Sequence, residues 1–501
     1  MKLVNLSIAA AAACLFATSA HALKSEDRVV KGNYQVEYTK APGDVNSFTE
    51  MFTEGDVYGR LRSNSFFWDW DNQNDGTTAD NKMWGLGGSL VYKTGFYKGF
   101  GATVGFYGVT QVLGDNKDGF SSTANYGKSG KDTYHTRADG SEGNIGVFAE
   151  AYGEYKAGKT DVKVGRQMID SVMLASNDTK FIPNTFEAAV IENKDIPNTK
   201  LRAGYIMSQK LRDHQTFHSL IAFEKYNRND DSGVHKGLST KNINSVGEDL
   251  NPEMLLATVD NTSIPNLKLH GEYVGLDGFV NTAILEANYQ IALGDKWTLT
   301  PGIRYLNQMD DGAGAIGGAS LNGSLGRDKS GAAYNTAAGS YTNAKSADGS
   351  ILMGRLVAAN GPLELMAGYS KVSDDADIIA PWRGFPTGGY TRSMAQLNWI
   401  ANTKSWMVKA AYDFGKAGVV PGLKIAADYV DMNFDDAKVA AKSTDFTDRN
   451  IFHVDAWQTF KAVPNTEFKV RFATIDAKPS AGTVVDNNSY NEYRFEVNYL
   501  F

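Results

Sequence analysis

Several long segments of this chain alternate strictly between apolar and polar residues, and that period of two limits what it can build. Tyr493, Phe495, Val497, Tyr499 and Phe501 alternate with Glu492, Arg494, Glu496 and Asn498. Phe468, Val470 and Phe472 alternate with Glu467, Lys469 and Arg471, and Leu267, Leu269 and Tyr273 with Lys268, His270 and Glu272. Such segments read as strands with one apolar face and one charged face. Helical periodicity is nearly absent. The exception is Asn46 to Gly55, where Phe48, Met51 and Phe52 share a face and Gly55 can end a short helix.

A two-sheet sandwich also alternates, but three features argue against one. Many of the strands run to about ten residues or more, against about five or six in soluble sheets. The polar face carries full charges near strand centres. The connections also tend to alternate in length. Short ones include 94–98, 156–159, 193–198, 293–296, 360–362 and 461–465. Long ones include 114–143, 209–252, 308–349 and 431–448. Short turns on one side and long loops on the other are the pattern of an outer-membrane β-barrel. Tyr92, Tyr155, Tyr289, Trp297, Tyr412, Phe414 and Phe460 sit at strand ends beside short turns, where a headgroup girdle needs aromatics. Composition agrees. The 501 residues have a net charge of −7, 11% aromatics and a mean hydropathy of −0.34, with no run of about 18 apolar residues. A helical membrane protein is excluded, and the mildly acidic balance argues against a nucleic-acid partner. The hydropathy is the average of a lipid face, a charged lumen face and polar loops.

Residues 1–22 read as a secretory signal. Lys2 is the positive start, an apolar run follows, and Ala20-His21-Ala22 is the cleavage site. The single cysteine, Cys14, lies within that signal, so disulfides, thiolate metal sites and a cysteine nucleophile are not expected. Residues 23–56 read as a periplasmic N-terminal segment with a short helix, and 57–501 as the barrel. Both termini of a bacterial barrel face the periplasm, so the strand count is even. Placing the short turns on the periplasmic side gives an antiparallel up-and-down all-β barrel of 18 strands.

The chain resembles the OprD-type outer-membrane porins, an 18-stranded family, over most of its length beyond the signal. The resemblance rests on Ser47 to Gly55 leading into Val57-Tyr58-Gly59-Arg60-Leu61-Arg62, on Ser65 to Asp71 with Trp84 to Gly88, and on Gly165-Arg166-Gln167-Met168 with Asn177-Asp178 and Ile182 to Phe186. The signal is similar to those of epsilonproteobacterial major outer-membrane porins. The resemblance implies an arginine ladder along one wall and a channel narrowed by the third and seventh loops.

Alternation assigns strand charges to the lumen. The basic candidates are Arg60, Arg62, Arg202, Arg304, Arg355, Arg471 and Arg494, with Arg166 at a loop mouth; the acidic ones are Glu150, Glu187, Glu286 and Asp428. Inward charges of the two signs balance, so selectivity depends on their placement. Guanidinium forks bind carboxylates bidentately, so the arginines read either as a substrate ladder or as partners in salt bridges with neighbouring carboxylates. Two segments, 166–185 and 371–393, are too apolar for loops in water. Folded inward they form a constriction with Ser176, Asn177, Asp178, Trp382 and Arg383 near the eyelet; packing at a homotrimer interface is the alternative. The Gly/Ala/Ser-rich stretch 308–349 reads as a flexible external loop without chemistry.

Metal motifs are weak. His214 and His218 lie four apart without an obvious third ligand, and the acidic run from Asp69 fails the calcium-loop register at Gln73 and Lys82. No cofactor is expected, calcium at an acidic loop being the one open case. No nucleophile elbow or phosphate loop occurs, so an outer-membrane hydrolase is disfavoured. The expected function is passive diffusion of small hydrophilic solutes or ions across an outer membrane, with carboxylates or amino acids as preferred solutes. A terminal Phe501 on an alternating strand reads as an assembly signal. The alternative function is a surface adhesin or structural outer-membrane protein.

Overall fold

The computed structural model describes residues 28–31, 35–38, 42–71, 80–115, 144–212, 214–223, 237–320, 341–382, 390–394, 399–440, 447–479 and 489–501. Its described strands close into an antiparallel barrel of 18 long members. They are β1 (Asp56–Trp70), β2 (Asn81–Lys93), β3 (Phe100–Asp115), β4 (Ile145–Ala157), β5 (Thr160–Gln167) and β6 (Thr185–Asn193). Next come β7 (Thr199–Lys210), β8 (Met254–Asn261), β9 (Leu267–Leu276), β10 (Val280–Tyr289), β11 (Trp297–Asp310) and β12 (Gly349–Asn360). The last six are β13 (Leu363–Val372), β14 (Lys404–Asp413), β15 (Leu423–Asn433), β16 (Arg449–Phe460), β17 (Val463–Ala477) and β18 (Tyr490–Leu500). Each pairs with its sequence neighbours, and β18 closes on β1 from Tyr490↔Trp70 to Leu500↔Arg60. Phe501 extends the seam, exchanging backbone hydrogen bonds with Gly59 at 2.9 and 3.2 Å.

Alternation sets the two faces. On β1 the Arg60 side of the ladder is 1% exposed, while its neighbour Leu61 is 58% exposed. Leu201, Tyr205, Leu285, Ile303, Leu352, Val408, Val470 and Phe495 also lie open on the outside. In water such a belt would be an aggregation surface; against hydrocarbon it is the matching solvent.

The periplasmic turns use backbone conformations that suit their residues. Asn198, Asn266 and Asn465 take positive φ of 56°, 63° and 63°, which asparagine tolerates better than most side chains. Gly361, at φ 55°, and Pro362 make the whole connection between β12 and β13. The external connections are longer, with one exception: 277–279 joins β9 to β10 directly. We label four of the others L3 (168–184), L4 (211–253), L6 (311–348) and L7 (373–403).

The inward face is not polar along its whole length. On β8 it reads Met254, Leu256, Thr258, Asp260 from outside to periplasm, and on β17 Ile475, Ala473, Arg471, Lys469. Apolar residues near the outer ends pack in one cluster with L3, L4 and L7 side chains. The loops fill the outer half of the lumen, and the strands facing them are apolar because that half is a core rather than a water channel. The described ends of L6 join this core: Ala313 and Ile316 are buried, as is Tyr341. The expectation of a loose loop at 308–349 is corrected for these parts; 321–340 lies outside the described residues.

The expected short helix is present as α1 (Phe48–Thr53). The Ser47 side chain caps it by accepting from the Glu50 N–H at 3.1 Å, and Glu50 accepts from the Asn46 N–H at 2.8 Å, a variant of the capping box. Upstream, residues 28–30 and 36–38 form a two-stranded hairpin. Its contacts lie on the inward face of the barrel, so this part of the segment expected in the periplasm is instead held inside the barrel by polar and aromatic partners.

Candidate functional site: the loop constriction

L3 leaves β5 at Gln167 and returns at Thr185. Its Met173, Leu174, Phe181 and Ile182 are all buried, as a loop folded inward requires. Polar anchors fix its path. Glu272 on β9 accepts hydrogen bonds from the Ser171 hydroxyl at 2.9 Å and from the Val172 and Met173 N–H groups at 2.8 and 2.9 Å. Ser176 closes the loop on itself: its N–H donates to the Ile169 carbonyl at 2.8 Å, and its hydroxyl accepts from the Ile169 N–H at 3.1 Å. Asp178 docks on the wall. Arg60 donates to one of its carboxylate oxygens, and Arg62 bridges it at 3.2 Å while reaching Glu496 at 2.8 Å. Four buried charges therefore neutralise one another at the root of the constriction.

L7 meets L3 at one point in particular: Asn184 donates to the Trp382 carbonyl at 3.0 Å and accepts from the Asn177 N–H at 2.7 Å. The Trp382 ring is fully buried. Gln308 on β11 pins L7, donating to the Asp377 carbonyl at 3.0 Å and accepting from the Ile379 N–H at 2.7 Å. Further along L7, Tyr390 lies over Arg355 and Arg304, 4.3 and 5.2 Å from its ring centre, and the Ser393 hydroxyl donates to Asp428.

L4 contributes Arg212, which donates to the Asn177 side-chain oxygen at 3.1 Å and to the Thr179 hydroxyl. Arg392 of L7 lies near enough to Arg212 and to Arg471 of β17 to be repelled by each. Enclosure by the surrounding protein, then the like charges of Arg212 and Arg471, lower the Arg392 pKa to about 10, so it remains cationic at neutral pH. The loops thus converge on a cationic cluster that the sequence reading missed. Arg392 stood within a segment already read as inward, and Arg212 directly follows β7; only the fold puts them together.

The wall arginines have carboxylate or amide partners. Arg202 reaches Glu192 at 3.2 Å and the Asp170 carbonyl at 2.7 Å. Arg304 binds Glu286 at 2.5 Å, Arg355 binds Asn288 at 2.6 Å, and Arg494 binds Glu492. Arg471 holds Asp455 with two parallel bonds of 2.7 and 2.8 Å. Glu150 accepts from the Tyr107 hydroxyl at 2.7 Å, and Asp428 lies 2.9 Å from His453. These arginines are bridged to acids or amides of the wall.

Arg166 and Glu187 pair at the outer ends of β5 and β6, where Arg166 contacts Glu187 at 3.0 Å and lies under the Phe217 ring at 4.5 Å. A bulge between Glu187 and Ala188 sets Glu187 opposite Ser208 of β7, whose hydroxyl donates to it at 2.6 Å. Phe186 and Ala188 pack against the loop-filled core. Arg383, expected at the eyelet, lies outside the described residues. His214 and His218 stand 3.3 Å apart, and no group of three potential metal ligands occurs among the described residues. The core of the acidic run after Asp71 also falls outside them.

A family model for outer membrane porins of the OprD family matches residues 51–501. Solved structures agree in fold. Acinetobacter baumannii OccAB3 superposes with a TM-score of 0.66 at 15% identity, covering 89% of this chain and 99% of that one. Pseudomonas aeruginosa OccK9 (OpdG) gives 0.65 at 17%, covering 90% and 99%. P. aeruginosa OpdK, solved with vanillate, gives 0.62 at 16%, covering 89% and 98%. No curated protein matches the sequence. The chain belongs to the OprD family of outer membrane porins. It is a porin channel of the Gram-negative outer membrane.

Proposed function

We propose that the channel passes small hydrophilic solutes by passive diffusion and prefers anionic ones, carboxylates and amino acids presented by their carboxyl group. The observation that carries this reading is the gathering of Arg212, Arg392 and Arg471 where L3, L4 and L7 converge. Guanidinium groups present planar forks that match a carboxylate, and a cluster of them where the loops converge raises the local concentration of anions. Vanillate, the molecule seen with OpdK, is itself a carboxylate, in line with such a preference in a relative of the same fold. Asp178 and Glu496 neutralise Arg60 and Arg62, and Asp455 holds Arg471, so the selectivity rests on the loop arginines Arg212 and Arg392 rather than on the sum over the wall.

Liposome swelling with solutes of matched size tests it. An aliphatic carboxylate is expected to enter faster than the corresponding amine. Arg392→Ala together with Arg212→Ala is expected to remove most of that difference, while a neutral sugar enters as before. Equal entry of acid and amine in the unaltered channel would overturn the preference.

A further inference from the structure

The hairpin strands 28–30 and 36–38 sit in an unusual place for a segment outside the barrel strands. On its second strand the Tyr38 ring stacks on Tyr58 of β1 at 4.8 Å, and its hydroxyl donates to Asp56 at 2.9 Å. Tyr58 precedes Arg60 and Arg62 on the inward face of β1, so Tyr38 lies against the inner wall near the periplasmic mouth. Gln35 is higher in the lumen. It is 7% exposed, and its side-chain amide donates to the Ser176 carbonyl of L3 at 2.9 Å. Lys31 lies 4.0 Å from Asp170 of L3 and 3.7 Å from Glu37 across the hairpin. The hairpin therefore runs up the inner wall from the periplasmic mouth to the constriction loop.

We propose that the paired strands 28–30 and 36–38 are a permeation element of this channel: seated beneath L3, they narrow the periplasmic half of the path and hold the constriction loop from below. The inference rests on the channel reading above. A solute that passes the loop arginines then meets the strands that carry Lys31, its ammonium facing Glu37 and Asp170, and with them an obstacle that the barrel strands alone would not provide. Holding Ser176 through Gln35 also couples this obstacle to the loop that carries Asn177 and Asp178.

Two measurements in planar bilayers test it. Deleting residues 28–38 is expected to raise single-channel conductance roughly two-fold, since ion flow follows the open cross-section of the lumen. If that variant does not fold, Lys31→Cys answers instead, because the only other cysteine of the chain is Cys14. A negatively charged methanethiosulfonate added on the periplasmic side is expected to lower the conductance of open Lys31→Cys channels stepwise and to shift their reversal potential toward cations. The unsubstituted channel should not respond. Unchanged conductance on deletion, or an unresponsive Lys31→Cys channel, would overturn the role of the hairpin while leaving the channel reading in place. A full chain that forms no channel would instead overturn the channel reading.

Discussion

Asp178 is an anchor of the constriction. It receives Arg60 and Arg62, both buried, and thereby ties L3 to β1. Removing one partner of a buried ionic group leaves the others without compensation, at a cost of about 3–5 kcal/mol. Asp178→Ala is therefore expected to lower the thermal unfolding temperature and to make single-channel current noisier as L3 loosens; an unchanged melting curve would contradict this. Glu272 acts similarly, through three hydrogen bonds to L3. Glu272→Gln keeps the shape but loses the charge, with an expected loss of about 1–3 kcal/mol, read by calorimetry. Arg392 supplies the pH dependence. Its pKa is lowered to about 10, so its charge is complete at neutral pH and is lost as pH rises through that value. Anion preference should accordingly be flat from pH 7 to 9 and decline above it, as reversal potentials measured in alkaline buffers would show.

At the scale of the element, the sequence made the strands legible and hid what the loops do to them. Strand parity, turn residues and the count of 18 follow from alternation, because lipid demands an apolar residue at every second position. The inward folding of L3 and L7 followed from apolar residues that water would not tolerate. The apolar lining of the outer half was not legible, since the rule that polar residues face the lumen fails where loops fill it: Phe186 and Ala188 pack against the core. The cationic cluster was hidden for a related reason. Arg212, Arg392 and Arg471 are far apart in the chain, and no local pattern announces their meeting. The barrel seam gives a further prediction. A side chain at Gly59 would collide with the Ser89 carbonyl at 2.1 Å and the Phe501 ring at 2.7 Å. Gly59→Val is expected to hinder closure of β18 on β1, seen as loss of the compact, heat-modifiable band on electrophoresis.

At the scale of the whole molecule, the barrel divides along its axis. The outer half is a core in which strand ends and four loops bury apolar side chains together; the periplasmic half is charged and holds the N-terminal hairpin. The proposed route for solutes is what these two fillings leave open, past the loop arginines. The most direct test is the single-channel reversal potential of the purified full chain in a salt gradient at neutral pH. Discrete conductance steps with a reversal potential on the anion-selective side are the expected result. A cation-selective potential would contradict the account of the constriction, and the absence of conductance would contradict the account of the channel.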